Sequence, residues 1–219
     1  MAGAAENPSV PLRLAVLLSG SGTTLENLFV RREAGELPVE IVCVVSSRAG
    51  AFGLQRARKR GVPTALIERK KHREVESFSE RIFEAIRPHG PDLVCLAGFM
   101  SLLRIPGEFE GRVMNIHPAL LPAFGGKGCY GHHVHEAVLA HGCKLTGCTA
   151  HFVDNEYDHG PIILQKAVEV REDDTPDSLA DRVQAAEREV FPEAIRLFAA
   201  GRLRVEGRRV RILPARSGR

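Results

Sequence analysis

Apolar residues recur along this chain in two alternating rhythms. Leu12 to Leu18 is a continuous apolar run broken only by Arg13, as in a strand buried on both faces. Ser19-Gly20-Ser21-Gly22-Thr23-Thr24 interrupts it, and Leu25, Leu28 and Phe29 then follow at helical spacing, with Thr23 or Thr24 placed to cap the helix. The pattern next predicts a strand over Val39 to Val45, a helix over Ala51 to Arg60 closed by Gly61, and a short strand over Thr64 to Ile67. Val75, Phe78, Ile82, Phe83 and Ile86 form one face of a helix within residues 72–87, ended by Pro88. Asp92 to Leu96 is another buried strand, and a short apolar run ends in Asn115-Ile116-His117 before Pro118 stops it. Strands alternating with helices over short crossovers predict an α/β single domain with a mostly parallel, Rossmann-like sheet covered on both faces.

The second half changes rhythm. Phe124 to Gly131 is too glycine-rich for helix or strand and reads as a mobile loop or lid. A helix is predicted from His132 to about His141. Leu145 to Val153 and Ile162 to Val170 read as strands joined by an acidic loop, so an antiparallel hairpin is expected. Thr175-Pro176 opens a long helix through about Ala199, and residues 203–212 alternate weakly around Glu206-Gly207 as a small hairpin. The expected division is a disordered leader over 1–11, one domain over 12–200 with halves 12–110 and 111–200, and a solvated basic tail over 201–219.

Composition narrows the classes. The 219 residues are 44% apolar and 26% charged, ordinary for a globular domain of this length. A formal charge of +3 is too small to argue for nucleic acid. Cys43, Cys95, Cys129, Cys143 and Cys148 are odd in number and loosely spaced, which suggests reduced thiols and not a disulfide framework. The leader lacks the regions of a secretory signal, and no apolar run is long enough to span a bilayer. The expectation is a cytoplasmic enzyme of small molecules, without a membrane partner, in which an exposed edge strand leaves room for a homodimer.

Three features carry chemistry. Strand, glycine loop and helix together aim free backbone N–H groups at a phosphate. Leu25 stands where a dinucleotide fingerprint needs its third glycine, and no Gly-Lys-Ser or Gly-Lys-Thr is present, so a single phosphate suits the loop better than NAD or ATP. Asn115 and His117 share one strand face and suit a carbonyl oxygen that becomes negative during a reaction. An Asp in the 154–161 loop could face His117 and hold it charged. Phe99 and Met100, just after a strand, suit a flat ring at the carboxyl end of the sheet. His132, His133 and His135 beside Cys129 raise a metal site, but adjacent histidines point apart and no carboxylate lies at zincin spacing, so no metal is expected.

With Leu96-Ala97-Gly98-Phe99-Met100, Asn115-Ile116-His117-Pro118, Leu120-Leu121-Pro122, His151-Phe152-Val153 and Asp158-His159-Gly160-Pro161, the chain from about 12 to about 200 resembles the phosphoribosylglycinamide formyltransferases, folate-dependent enzymes of purine synthesis. The resemblance implies that Gly20, Ser21, Gly22, Thr23 and Thr24 hold the phosphate of glycinamide ribonucleotide. By the same resemblance Glu187 binds the ribose, Gln184 lies near the phosphate, and the Pro118 carbonyl orients the attacking amine. Phe99, Met100, Ser101, Leu102, Leu103, Asn115 and the loop with Asp154 and Glu156 would hold the pterin of 10-formyltetrahydrofolate, with Arg73 near its glutamate tail. Asn115, His117 and Asp158 match the catalytic trio. The family often reads Gly-Asn-Gly-Ser-Asn in the phosphate loop and carries Gly or Thr where this chain has His159, so these are points of departure. Formyltetrahydrofolate hydrolase and methionyl-tRNA formyltransferase are the enzymatic rivals, each expected to bring a further domain. A non-catalytic module on the same fold is opposed by the intact Asn-x-His plus Asp.

Overall fold

The computed structural model describes residues 10–215, so most of the leader and the last four residues lie outside it. Nine strands form one sheet. They are β1 (Leu12–Leu18), β2 (Val39–Ser46), β3 (Thr64–Leu66), β4 (Leu93–Leu96), β5 (Val113–His117), β6 (Leu145–Phe152), β7 (Ile162–Glu169), β8 (Leu203–Glu206) and β9 (Arg209–Ile212). The helices are α1 (Thr23–Glu33), α2 (Gly53–Lys59), α3 (Val75–Ile86), α4 (His132–Ala140) and α5 (Pro176–Ala199).

Period-two alternation sorts the strand residues into two cores. Leu14, Val16 and Leu18 of β1 pack with Met114 and Ile116 of β5 beneath α1, α2, α4 and α5. Ala15 and Leu17 face the other way with Val94 and Val113, against Phe78, Ile82, Phe83 and Ile86 of α3. The spatial order is β3-β2-β1-β4-β5-β6-β7-β9-β8. β1 to β5 run parallel, whereas β6 pairs antiparallel with β7, as the expected hairpin requires, and also with β5. The order reverses between β1 and β4, the switch point at which open α/β sheets bind ligands. There the Ser19 amide donates to the Gly98 carbonyl at 3.0 Å. The Ser19 hydroxyl accepts from the Met100 amide at 3.1 Å and pairs with the Ser47 hydroxyl at 2.6 Å.

Several local expectations are corrected. Neither Thr23 nor Thr24 caps α1, because the cap is Gly22 in the left-handed region at φ 72°. A Cβ on Gly22 would lie 2.6 Å from the Gly53 Cα, so the glycine loop sits directly on the start of α2. α2 begins at Gly53, later than the apolar pattern suggests. The hairpin expected over residues 203–212 is present, its strands mostly exposed, and it extends the sheet through the pairing of Arg209 with Ile162.

Candidate active site

β5 ends at the rim beside the switch point, and its side chains decide the chemistry there. His117 is buried, and its Nε2–H donates to the Phe124 carbonyl at 2.9 Å. Asp158 arrives from the loop between β6 and β7 with its backbone at φ 51°, a region that Asp tolerates better than most residues. One carboxylate oxygen lies 3.5 Å from His117 Nδ1 and accepts from Asn115 Nδ2 at 3.4 Å. The other accepts from the Gly126 amide at 3.0 Å, tying the glycine-rich loop to the same carboxylate. A Cβ on Gly125 would meet Leu121 at 2.5 Å and the Asp158 Cβ at 3.3 Å, so only glycine lets that loop approach so closely.

His151 completes the cluster, and no role had been given to it from sequence. It sits opposite Asn115 in the β5–β6 ladder and is 1% exposed. Its Nε2 accepts from Asn115 Nδ2 at 3.1 Å, and its Nδ1–H donates to the Phe152 carbonyl at 2.7 Å. Burial pushes its pKa down, which keeps the ring neutral and its Nε2 free to accept. The signal for it was strand alternation opposite Asn115, legible only once the register is known.

Asn115, His117, Gly126 and Asp158 line a cavity of about 530 Å³ together with Thr23, Thr24, Phe99, Met100, Pro118, Tyr157, Gln184 and Glu187, and His151 meets it through Asn115. The first-turn N–H groups of α1 lack helical carbonyl partners by geometry, so Thr23 and Thr24 bring an anion-binding helix end to the wall. Burial pushes the Glu187 carboxyl up to about 7. Arg188 joins Thr23, Thr24, Gln184 and Glu187 around a small adjoining hollow, a cation not singled out from sequence. His135 also lines the main cavity, 4% exposed and with Nδ1 unpartnered among the described residues.

Other expected residues sit differently. Gly20, Ser21 and Gly22 support the wall from behind: the Gly20 carbonyl accepts from the Gly53 amide and the Ser21 carbonyl from Arg56 Nε. Leu103 packs into the α3-side core and is 2% exposed. Leu102 meets the 154–158 loop through its amide, which donates to the Tyr157 hydroxyl at 3.2 Å. Ser101 lines a second hollow beyond Met100. Asp154 turns toward His159 at 2.7 Å, and Glu156 is exposed. Arg73 is exposed ahead of α3 and lines neither cavity. No group of three or more His, Cys, Asp or Glu among the described residues is arranged to hold a metal ion.

The formyl transferase family model matches residues 12–195, which take in every element of this site. The chain belongs to the formyl transferase family. A solved structure of glycinamide ribonucleotide transformylase 1 from Symbiobacterium toebii superposes with a TM-score of 0.86 at 45% identity, covering 94% of this chain and 96% of that one. The chloroplastic phosphoribosylglycinamide formyltransferase of Arabidopsis thaliana is 37% identical over 195 residues, 88% of this chain and 67% of that protein. The trifunctional purine biosynthetic protein adenosine-3 of Gallus gallus is 41% identical over 196 residues, 89% of this formyl transferase but only 19% of that much longer relative. No helix among the described residues is long and apolar enough to cross a membrane.

Proposed function

We propose that this formyl transferase moves a formyl group from 10-formyltetrahydrofolate to the amine of 5'-phosphoribosylglycinamide in de novo purine biosynthesis. One observation carries the reading: Asn115, His117 and Asp158, with His151 backing Asn115, converge on one wall of a cavity that also holds a helix N-terminus and Glu187. The first group suits a developing oxyanion, and the second suits a phosphoribosyl group. The reading includes a reducing cytoplasmic setting, supported by free, buried Cys43, Cys95 and Cys148. It also includes a homodimer, for which the exposed edge strands leave room.

The amine nitrogen, neutral and oriented by the Pro118 carbonyl, attacks the formyl carbon. A tetrahedral centre forms, and its oxygen gains negative charge. Asn115 Nδ2 keeps one hydrogen on His151 Nε2 and turns the other, the longer contact to Asp158, onto that oxygen. His117, facing the Asp158 carboxylate, supplies a second donor when its Nε2–H turns from the Phe124 carbonyl toward substrate. Asp158 accepts the amine proton through a water and returns it to N10 of the folate as the carbon–N10 bond breaks. The products are formylated amine and tetrahydrofolate, with no covalent enzyme intermediate and no redox change.

The test mixes protein, formyl donor and glycinamide ribonucleotide and follows absorbance of the released folate. Turnover is expected only with the nucleotide, and the phosphate-free riboside should bind poorly. Donor hydrolysis without nucleotide, or transfer to methionyl-tRNA, would move the protein to one of the rival reactions.

A further inference from the structure

We infer that Arg208, on the turn of the C-terminal hairpin, is a positioning residue for the loop that bears Asp158. The inference rests on the folate reading of that loop. Arg208 Nη1 donates to His159 Nε2 at 2.9 Å, and Nη2 donates to the His159 carbonyl at 2.7 Å. A guanidinium has only donors, so Nε2 must accept and the ring proton must sit on Nδ1. That proton is donated to Asp154 Oδ2 at 2.7 Å, and Asp154 Oδ1 accepts from the Glu156 amide at 2.9 Å. Guanidinium and imidazole thus donate in series to the Asp154 carboxylate, which also accepts from a backbone amide two residues before Asp158.

Backbone geometry fixes the start of this chain. Arg209 pairs with Ile162 of β7, which places Arg208 beside the point where the loop re-enters the sheet. The opposite flank is held separately: Asn155 Oδ1 accepts from the Ile105 amide at 2.8 Å, and the Tyr157 hydroxyl accepts from Leu102. The loop is therefore pinned between the 102–105 segment and the hairpin, and Tyr157 and Asp158 face the cavity between the pins. Substrate bound against this loop feels Arg208 through His159, whereas substrate held by α1 and α5 does not. An imidazole at position 159 is what carries the Arg208 contact on to Asp154, since the carbonyl contact is open to any residue there.

The experiment compares Arg208→Ala, His159→Ala and the double variant in the full chain. Arg208→Ala should raise the KM for the formyl donor about fivefold, the scale of an exposed charged contact, with the KM for the nucleotide and the melting temperature unchanged. His159→Ala should act in the same direction through the lost imidazole link, although the Arg208 contact with the residue 159 carbonyl survives, and the double variant should fall short of the sum of the single effects. Hydrogen exchange of the Glu156 amide should rise in every variant, a readout that needs no substrate. Unchanged exchange, equal changes in both KM values, or additive single effects would overturn the inference. Faster exchange in the variants of a chain whose wild type transfers no formyl would instead retire the proposed reaction and leave the clamp standing.

Discussion

Glu187→Gln tests the electrostatics of the cavity wall most directly. In the folded protein burial lifts this carboxyl from 4.5 to about 7. Below about pH 4.5 the group is protonated in folded and unfolded chains alike and contributes no difference. Between 4.5 and 7 the unfolded chain releases its proton first, so stability falls as pH rises, and above about 7 the loss is complete. A shift of that size corresponds to about 3 kcal/mol. Glu187 lines an open cavity and is only half-buried, so water reduces this to about 1–3 kcal/mol. A glutamine keeps the shape and never ionises. The variant should therefore melt above wild type by roughly 2–10 °C at pH 8, and the two should converge near pH 4. Thermal unfolding at both values measures this, and other titrating groups cancel because they are common to both chains. Equal melting at pH 8, or the same increment at both pH values, would refute the reasoning. The nucleotide should bind the variant more weakly, and wild type should release protons on binding it near pH 6, because ribose hydroxyls favour the ionised carboxylate. Calorimetry in buffers of different ionisation enthalpy reads that release.

Other consequences are shorter to state. Asn115→Ala removes one oxyanion donor and orphans His151 Nε2, so turnover should fall by about 10²–10³-fold with folate affinity little changed. Asp158→Asn should lose turnover comparably, since an amide cannot carry the proton; full activity in either variant would remove that residue from catalysis. Gly22→Ala meets both a positive φ and the Gly53 backbone, and should cost about 2 kcal/mol or more of stability by denaturant unfolding. The nucleotide KM of Gly22→Ala should rise more than its folate KM.

The parallel half of the fold was legible because its strands, apart from the short edge strand β3, are largely buried on both faces and each crossover is punctuated by glycine or proline. Asn115 and His117 were legible for the same reason: a strand end with period two leaves little choice about which side chains share a face. What could not be read were contacts set by three-dimensional register. His151 and Asn115 are 36 positions apart and meet only because β6 runs antiparallel to β5 in one alignment. The pairing of Arg209 with Ile162 has no apolar signature, since that strand of the hairpin is mostly exposed. Leu103 illustrates the converse, for a motif match placed it at a ligand while its burial placed it in the core.

The direction of β6 determines how the site is assembled. With β6 antiparallel to β5, the chain leaves β6 level with Val113, at the far end of β5 from His117, where the Val153 amide donates to the Val113 carbonyl at 2.9 Å. The loop must then climb back over the sheet face before Asp158 can reach the rim. A free loop making that return would sample many positions, and a carboxylate displaced by an ångström would neither hold Asn115 nor face His117. The return is held by Asn155 and Tyr157 on one flank, by Asp154 and His159 on the other, and at its end by the Gly126 amide. Those contacts use backbone amides and short polar side chains, which lose less conformational freedom on ordering than long ones do. Preorganisation of the carboxylate is therefore a property of the loop's anchors, and their number follows from the reversal of strand direction between β5 and β6.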